Sequence, residues 1–377
     1  MPAPSYERYG LVGNPFRDLA SESLQDVELF HVNLEVDRLL ETMREEVFAK
    51  ENRAVVALVG LHGAGKTERL LLTAAEAKSR KAFSVYFDVT TKTTWVTRGL
   101  AAAIVATANL GGFKQLFSAP KWFRDVAALQ KAKETAYDPV RTGRTIAAAL
   151  NANVPAFLLL NDLHNLSATK ERVLFVKTFQ EIIDGIKPGV MIMFGAFPSF
   201  MVQLAREQTP LTSRINRTVV LPRLSADEAS LLIAKKLLAK RIVEGLDPLY
   251  PFDKDVATKL NIVAYGNPRR LLELADAALE YGAAHRAYRI DEEVLRTALV
   301  DRKVKEIDRI MDDSFVWSED SLLDGPAQAP ATPPGPPAGV PANSPVFGTI
   351  AGSQRPPQAA NLSTPAPGSE NRSGRAS

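Results

Sequence analysis

Residues Gly60-Leu-His-Gly-Ala-Gly-Lys-Thr67 match the phosphate-binding pattern GxxxxGK[ST] and constrain this chain more than any other stretch. The flanks make the pattern informative. Ala54–Gly60 (AVVALVG) is a short apolar run that reads as a buried strand, and Lys66–Arg80 reads as the helix after it. Strand, glycine turn and helix in that order is the context in which the motif works. Gly60, Gly63 and Gly65 let the backbone turn tightly, so that its N–H groups face phosphate oxygens. The helix N-terminus adds partial positive charge. Lys66 is expected to reach the β- and γ-phosphates, and the Thr67 hydroxyl to ligate Mg²⁺. ATP and Mg²⁺ are therefore the expected cofactors.

Three further runs read as strands: Ala82–Val89, Ala156–Leu160 (AFLLL) and Val190–Ala196 (VMIMFGA). Residues 34–50 and Thr97–Asn109 read as helices, and 111–142 as a helical insertion or a loop. Alternating strands and helices predict an α/β fold, a parallel P-loop sheet sandwiched by helices. After Leu224 the pattern is helical only. Ser225-Ala-Asp-Glu228 forms a capping box, Asn267-Pro268 supplies an N-cap with proline at the first helical position, and Asp291 caps a third helix.

The expected organisation is a nucleotide-binding core with an N-terminal lead-in over 1–224, a small all-α lid over 225–310 and a tail over 311–377. Residues 326–377 hold 12 of the 25 prolines but only five large apolar side chains. That is too little apolar surface to offset the entropy of ordering, so the tail is expected to be disordered. Its Pro333-Pro-Gly-Pro-Pro337 suits a protein partner that reads extended proline segments.

Composition removes several classes. With no cysteine, a disulfide framework, a Cys-ligated metal and a Cys nucleophile are out. The four histidines are scattered, at 31, 62, 164 and 285. No apolar run approaches the ~18 residues of a membrane span, and the N-terminus lacks a signal-peptide layout. A cytoplasmic protein without membrane contact is expected. Residues 1–325 carry 43 basic and 42 acidic side chains, so there is no broad basic field. Two local clusters stand out for nucleic acid: Lys235, Lys236, Lys240 and Arg241, and Arg302, Lys303, Lys305 and Arg309.

A P-loop protein also needs an acidic residue at the tip of a neighbouring strand to hold Mg²⁺. Phe157-Leu-Leu-Leu160 runs into Asn161-Asp162-Leu163-His164-Asn165-Leu166. Counted after four apolar residues, Asn161 falls at that position and Asp162 beside it. Shifted by one, Asp162 becomes the metal acid. Both registers weaken hydrolysis relative to binding.

These features together resemble AAA+ ATPases. The details are similar to the branch shared by ExeA-type ATPases, TniB/TnsC-type transposition helpers and archaeal Cdc-type origin-recognition initiators. Gly10-Leu-Val-Gly-Asn-Pro-Phe16 resembles the Asn-Pro-Phe lead-in of that branch, and Asn161–Leu166 its Asp-Glu-Ala-His-x-Leu strand end. Leu211-Thr-Ser-Arg214-Ile, then Leu221–Glu228, resemble the arginine-finger stretch and the start of the lid. Gly266-Asn-Pro-Arg269-Arg270 resembles the start of the sensor-2 helix.

The resemblance implies roles. Arg214, with Arg217 in reserve, would reach a neighbouring subunit's γ-phosphate. Arg269, with Arg270 as substitute, would touch the nucleotide from the lid. Asp162 would stand in for the water-polarising Glu, one methylene shorter. Ala196 falls where the branch usually has a polar sensor-1 side chain. A winged-helix domain like that of the origin-recognition initiators is not expected between the lid and the tail, which favours the shorter ExeA/TniB-like organisation. The implied function is an ATP-binding switch that forms a homo-oligomer, acts on DNA and hydrolyses ATP slowly. The alternatives are an ATP-responsive scaffold or signalling protein, and a secretion-linked ATPase, neither binding nucleic acid.

Overall fold

A computed structural model describes residues 5–17, 31–32, 34–89, 96–108, 119–131, 138–166, 169–207 and 209–302, with only the backbone of 169–171, 207 and 209. The chain divides into two units, residues 1–322 and 323–377, and every described residue belongs to the first. The expected tail, parts of the 111–142 stretch, and Lys303, Lys305 and Arg309 lie outside the described residues.

Five strands build the sheet: β1 (Ala54–Val59), β2 (Phe83–Asp88), β3 (Ala156–Asn161), β4 (Val190–Ala196) and β5 (Arg217–Val220). Their order is β2-β3-β4-β1-β5, and every neighbouring pair is parallel. Among the described residues eleven helices of ten or more residues surround the sheet or follow it, together with three shorter helical segments. The first six are α1 (Glu35–Phe48), α2 (Lys66–Ser79), α3 (Val96–Thr107), α4 (Lys121–Lys131), α5 (Pro139–Asn151) and α6 (Thr169–Gly185). Then come α7 (Pro198–Glu207) and the four-residue α8 (Thr209–Thr212).

Every residue of β1, β3 and β4 is buried, which explains their continuous apolar sequences. Alternation sorts their side chains between two cores. Val55, Ala57, Leu158, Leu160, Ile192 and Phe194 meet Leu100, Ile146, Leu150, Phe179 and Ile182 on one face. Val56, Leu58, Phe157, Leu159, Met191 and Met193 meet Leu40, Val47, Leu70 and Ala77 on the other. Each fully buried Leu or Ile contributes about 1.5–3 kcal/mol. A polar residue at the end of such a strand, Asn161 at 3% exposure, is therefore a costly exception that needs partners.

The fifth strand was not among the expected ones. It has four residues at the sheet edge, and only Val219 is buried, so it carries almost no periodic signal. The 111–142 stretch contains α4 and the start of α5, whose N-cap is Asp138, accepting from Val140 N at 3.0 Å.

The helical segment after Leu224 holds α9 (Ala226–Leu238), α10 (Lys254–Val263), α11 (Pro268–Ala284) and α12 (Glu292–Asp301). The Ser225–Glu228 capping box and the Asn267 and Asp291 caps all form. Leu224, Ile233, Leu237, Leu260, Leu271, Leu279, Leu295 and Leu299 make a third apolar cluster, and Tyr9, Leu11 and Phe16 of the lead-in pack within it. Asn14 ties the lead-in down. Its side chain donates to Asp276 Oδ1 at 2.7 Å and accepts from Phe16 N at 3.0 Å. Among the described residues no helix is long and apolar enough to cross a membrane.

Candidate nucleotide-binding site

Gly63 and Gly65 have φ of +78° and +89°, the left-handed region that glycine occupies without strain. Gly65 is the N-cap of α2, so the loop's N–H groups and the helix start converge. Lys66 is 5% exposed, and its ammonium donates to the carbonyls of Gly60 at 2.9 Å and Leu61 at 2.8 Å. Nζ also lies 4.7 Å from the centre of the Phe197 ring. Burial pushes this ammonium down to about 8, and the nearby Asp162 carboxylate opposes that shift.

The tip of β3 is a hydrogen-bonded junction. Asn161 Oδ1 accepts from the Thr67 hydroxyl at 3.0 Å. Asn161 Nδ2 faces two carboxylates, Asp88 Oδ1 and Asp162 Oδ2, each at 3.2 Å. The parallel register places Asp88, the last residue of β2, directly beside Asn161. Asp162 has a φ of +54°, an uncommon conformation for a non-glycine residue and one found at strained functional positions. Burial is the main cause that raises the Asp88 carboxyl; the Asn161 hydrogen bond works against it, and Asp162 adds to it. His164 stacks on Phe197 with ring centres 3.6 Å apart, and burial lowers its tendency to charge.

The helical segment after Leu224 touches the P-loop directly. The Asn267 side chain accepts from Arg270 N at 3.1 Å and donates to His62 O at 2.7 Å. One residue thus caps α11 and fastens it to the loop. A cavity of about 340 Å³ lies where they meet. Gly63, Gly65, Lys66, Thr67, Asn161 and Asp162 line it on one side, and Leu232, Lys236, Pro268, Arg269 and Leu272 of the helical segment after Leu224 on the other. Thr67, Asn161 and Asp162 present only hard oxygen donors besides one amide nitrogen. Such a set fits Mg²⁺, which takes one or two protein ligands and completes its shell with phosphate oxygens and water. Among the described residues, no group of three or more His, Cys, Asp or Glu is placed to hold a metal ion by itself.

No protein-family model matches the chain. Over 111 residues it is 25% identical to an uncharacterised HTH-type transcriptional regulator of Methanocaldococcus jannaschii, a stretch covering 29% of this chain. The match spans 27% of that curated relative's length. Two solved structures align over most of the chain. The Aeropyrum pernix ORC1 protein in complex with DNA gives a TM-score of 0.50 at 16% identity, covering 76% of this chain and 69% of that one. The Aeropyrum pernix ORC2 protein in ADPNP–ADP complexes gives 0.50 at 15% identity, covering 77% and 72%. The fold is that of the AAA+ ATPases.

Within this AAA+ fold the expected site residues separate into two groups. Gly63, Gly65, Lys66, Thr67, Asn161, Asp162 and Arg269 share the cavity, with Gly60 behind it as an acceptor for Lys66. Arg269 Nε also donates to Glu273 Oε1 at 3.2 Å, while the Arg270 guanidinium lies 5.1 Å from the Tyr265 ring centre. Arg214 does not line the cavity. It follows α8 and donates to the Asp184 carboxylate and the Pro210 carbonyl. Arg217 is the exposed first residue of β5. At the end of β4, an added Cβ on Gly195 would lie 3.5 Å from Lys66 Cβ and 3.6 Å from Asn161 Oδ1, while Ala196 is fully buried.

The first basic cluster does not form one solvated face. Lys236 is 4% exposed and lines the cavity. Lys235 donates to His31 O, and Arg241 to the carbonyls of Asp247, Pro248 and Tyr250. Only Lys240 of the four is exposed. The apolar face of α9 turns Lys236 inward, which the charge count along the sequence does not reveal. In the second cluster, Arg302 donates to Glu280 Oε2 at 2.8 Å. Sequence reading also missed Asp88 and the link from Asn267 to His62, because both depend on contacts between distant segments.

Proposed function

We propose that this chain is an ATP-binding AAA+ switch that assembles with itself when ATP is bound, acts on DNA and hydrolyses ATP slowly. One observation carries the reading: P-loop and lid are bonded to each other through Asn267 and line one cavity together. A nucleotide there touches both, so its binding alters how they are held. In this reading Lys66 and the loop N–H groups hold the phosphates, and Arg269 approaches from the lid. When bound, Mg²⁺ would neutralise phosphate charge, held by Thr67 with Asn161 or Asp162. The bond between Asn161 and Thr67 favours the register with Asn161 at the metal position and Asp162 beside the γ-phosphate.

Slow hydrolysis follows from the same residues. Asn161 offers an oxygen without a charge, Asp162 is shorter than Glu, and Gly195 and Ala196 bring no polar side chain to orient water. Binding needs the phosphate cradle, whereas transition-state stabilisation needs the rest. Turnover of the isolated protein is expected well below the ~10 s⁻¹ median of enzymes. Steady-state phosphate release checks it, and turnover at or above that median counts against the reading.

Arg214 would act across a subunit contact, exchanging its Asp184 partner for a neighbour's γ-phosphate. DNA is proposed because the ORC1 structure is a complex with DNA and the curated relative is named as a transcriptional regulator. Several subunits side by side would supply the weak contacts that a near-neutral chain lacks singly. The place of action is proposed to be the cytoplasm. The test is light scattering with and without ATP, then with duplex DNA at two salt concentrations. ATP should increase the particle mass, and Arg214→Ala should abolish that increase while keeping ATP affinity. A wild type of unchanged mass at high protein and ATP concentration defeats the assembly reading. Absence of DNA binding to the assembled form leaves the scaffold alternative in its place.

A further inference from the structure

We propose that Asp88 is a positioning residue for the Mg²⁺ end of this site, carrying at the tip of β2 the negative charge that Asn161 lacks at the tip of β3. The proposal rests on the ATP reading above.

An Asn at the metal position presents an oxygen only if its amide is held one way round. Asn161 Nδ2 lies 3.2 Å from oxygens of both Asp88 and Asp162, so its donor end is fixed between two acceptors. Its oxygen is thereby turned to Thr67 Oγ1, 3.0 Å away. The reverse orientation would place an amide oxygen against two carboxylate oxygens and lose both bonds. Asp88 holds this place because the parallel register pairs it with Asn161. The two strand tips therefore offer one carboxylate and one amide, with the carboxylate on β2.

The arrangement also explains why Asn161→Asp alone is a poor repair. It would put carboxylates at 88, 161 and 162 together and remove the N–H donor that bridges them. Like charges at that spacing disfavour full ionisation. Exchanging the two residue types between positions 88 and 161 keeps one donor, one acceptor and the same charge.

The experiment is calorimetric titration of ATP in excess Mg²⁺ and in EDTA, with the wild type, Asp88→Asn, Asn161→Asp and the double exchange. Asp88→Asn is expected to cut the Mg²⁺-dependent gain in affinity by about tenfold, the scale on which residues behind a metal's ligands act. Affinity in EDTA should not change, because the loop and Lys66 are untouched, and this also reports on folding. The double exchange should recover most of the Mg²⁺-dependent gain, which a merely structural Asp88 would not predict. Full retention of the gain in Asp88→Asn, or a double exchange no better than either single variant, overturns the proposal. A wild type that binds no ATP in either buffer instead overturns the ATP reading itself.

Discussion

Lys66→Ala is expected to weaken ATP binding by at least about tenfold, because a charge-assisted phosphate contact is worth ~1.5–3 kcal/mol. The same substitution should leave the melting temperature unchanged or slightly raised. Lys66 sits at 5% exposure, and burial pushes its ammonium down to about 8. The unfolded chain holds that proton more tightly than the folded one, so the buried charge opposes folding at neutral pH. Its two partners are the carbonyls of the buried Gly60 and the exposed Leu61. Because Lys66 itself lines the cavity, the space its side chain leaves opens to that cavity and water can replace the ammonium there. Affinity and stability therefore move independently. A lysine that merely pins the loop would behave otherwise, losing stability and affinity together. Calorimetry with ATP and a thermal melt without it decide the matter. Unchanged affinity in Lys66→Ala would sink the phosphate assignment.

The parts of this molecule that are legible in sequence are those whose physics is local. The P-loop is one: eight consecutive residues specify a strand end, a turn and a helix start. The caps at Ser225, Asn267 and Asp291 are others, each needing only its own first turn. The buried strands β1, β3 and β4 announce themselves as apolar runs, since both faces of the sheet are covered. Helix α6 was legible too, with Phe175, Val176, Phe179, Ile182 and Ile183 at helical spacing, although the sequence reading passes over it. What could not be read depends on register or on distance. Asp88 is an ordinary strand-end residue until β2 is laid beside β3. Lys236 looks like surface charge until α9 buries the side that carries it. Asn267 reads as a cap, and only the fold shows that its other amide group reaches His62, across 205 positions.

Gly63 lies against the first turn of α11, and Gly63→Ala is expected to be the most damaging small substitution in the site. A Cβ there would lie 2.4 Å from Arg269 Cβ and 2.9 Å from Asn267 Oδ1. Neither is the free end of a flexible chain. Arg269 Cβ is fixed to the first turn of α11, and Asn267 Oδ1 is held by Arg270 N. The φ of +78° adds about 1–2 kcal/mol for any side chain. Relieving the clash requires α11 to move off the loop, which breaks the Asn267–His62 bond and withdraws Arg269 from the cavity. Overpacking of this kind typically costs another 1–3 kcal/mol or so. Two other glycines separate the contributions. Gly245 has φ +81° with nothing within 4 Å of an added Cβ, so Gly245→Ala should show the backbone cost alone. Gly13 has neither a close neighbour nor a positive φ, so Gly13→Ala should be nearly neutral. Thermal melts with ATP titrations on all three give the comparison. Gly63→Ala should lose both stability and ATP affinity, and Gly245→Ala stability only. If Gly63→Ala keeps wild-type ATP affinity, the approach of α11 to the loop is not what shapes the site.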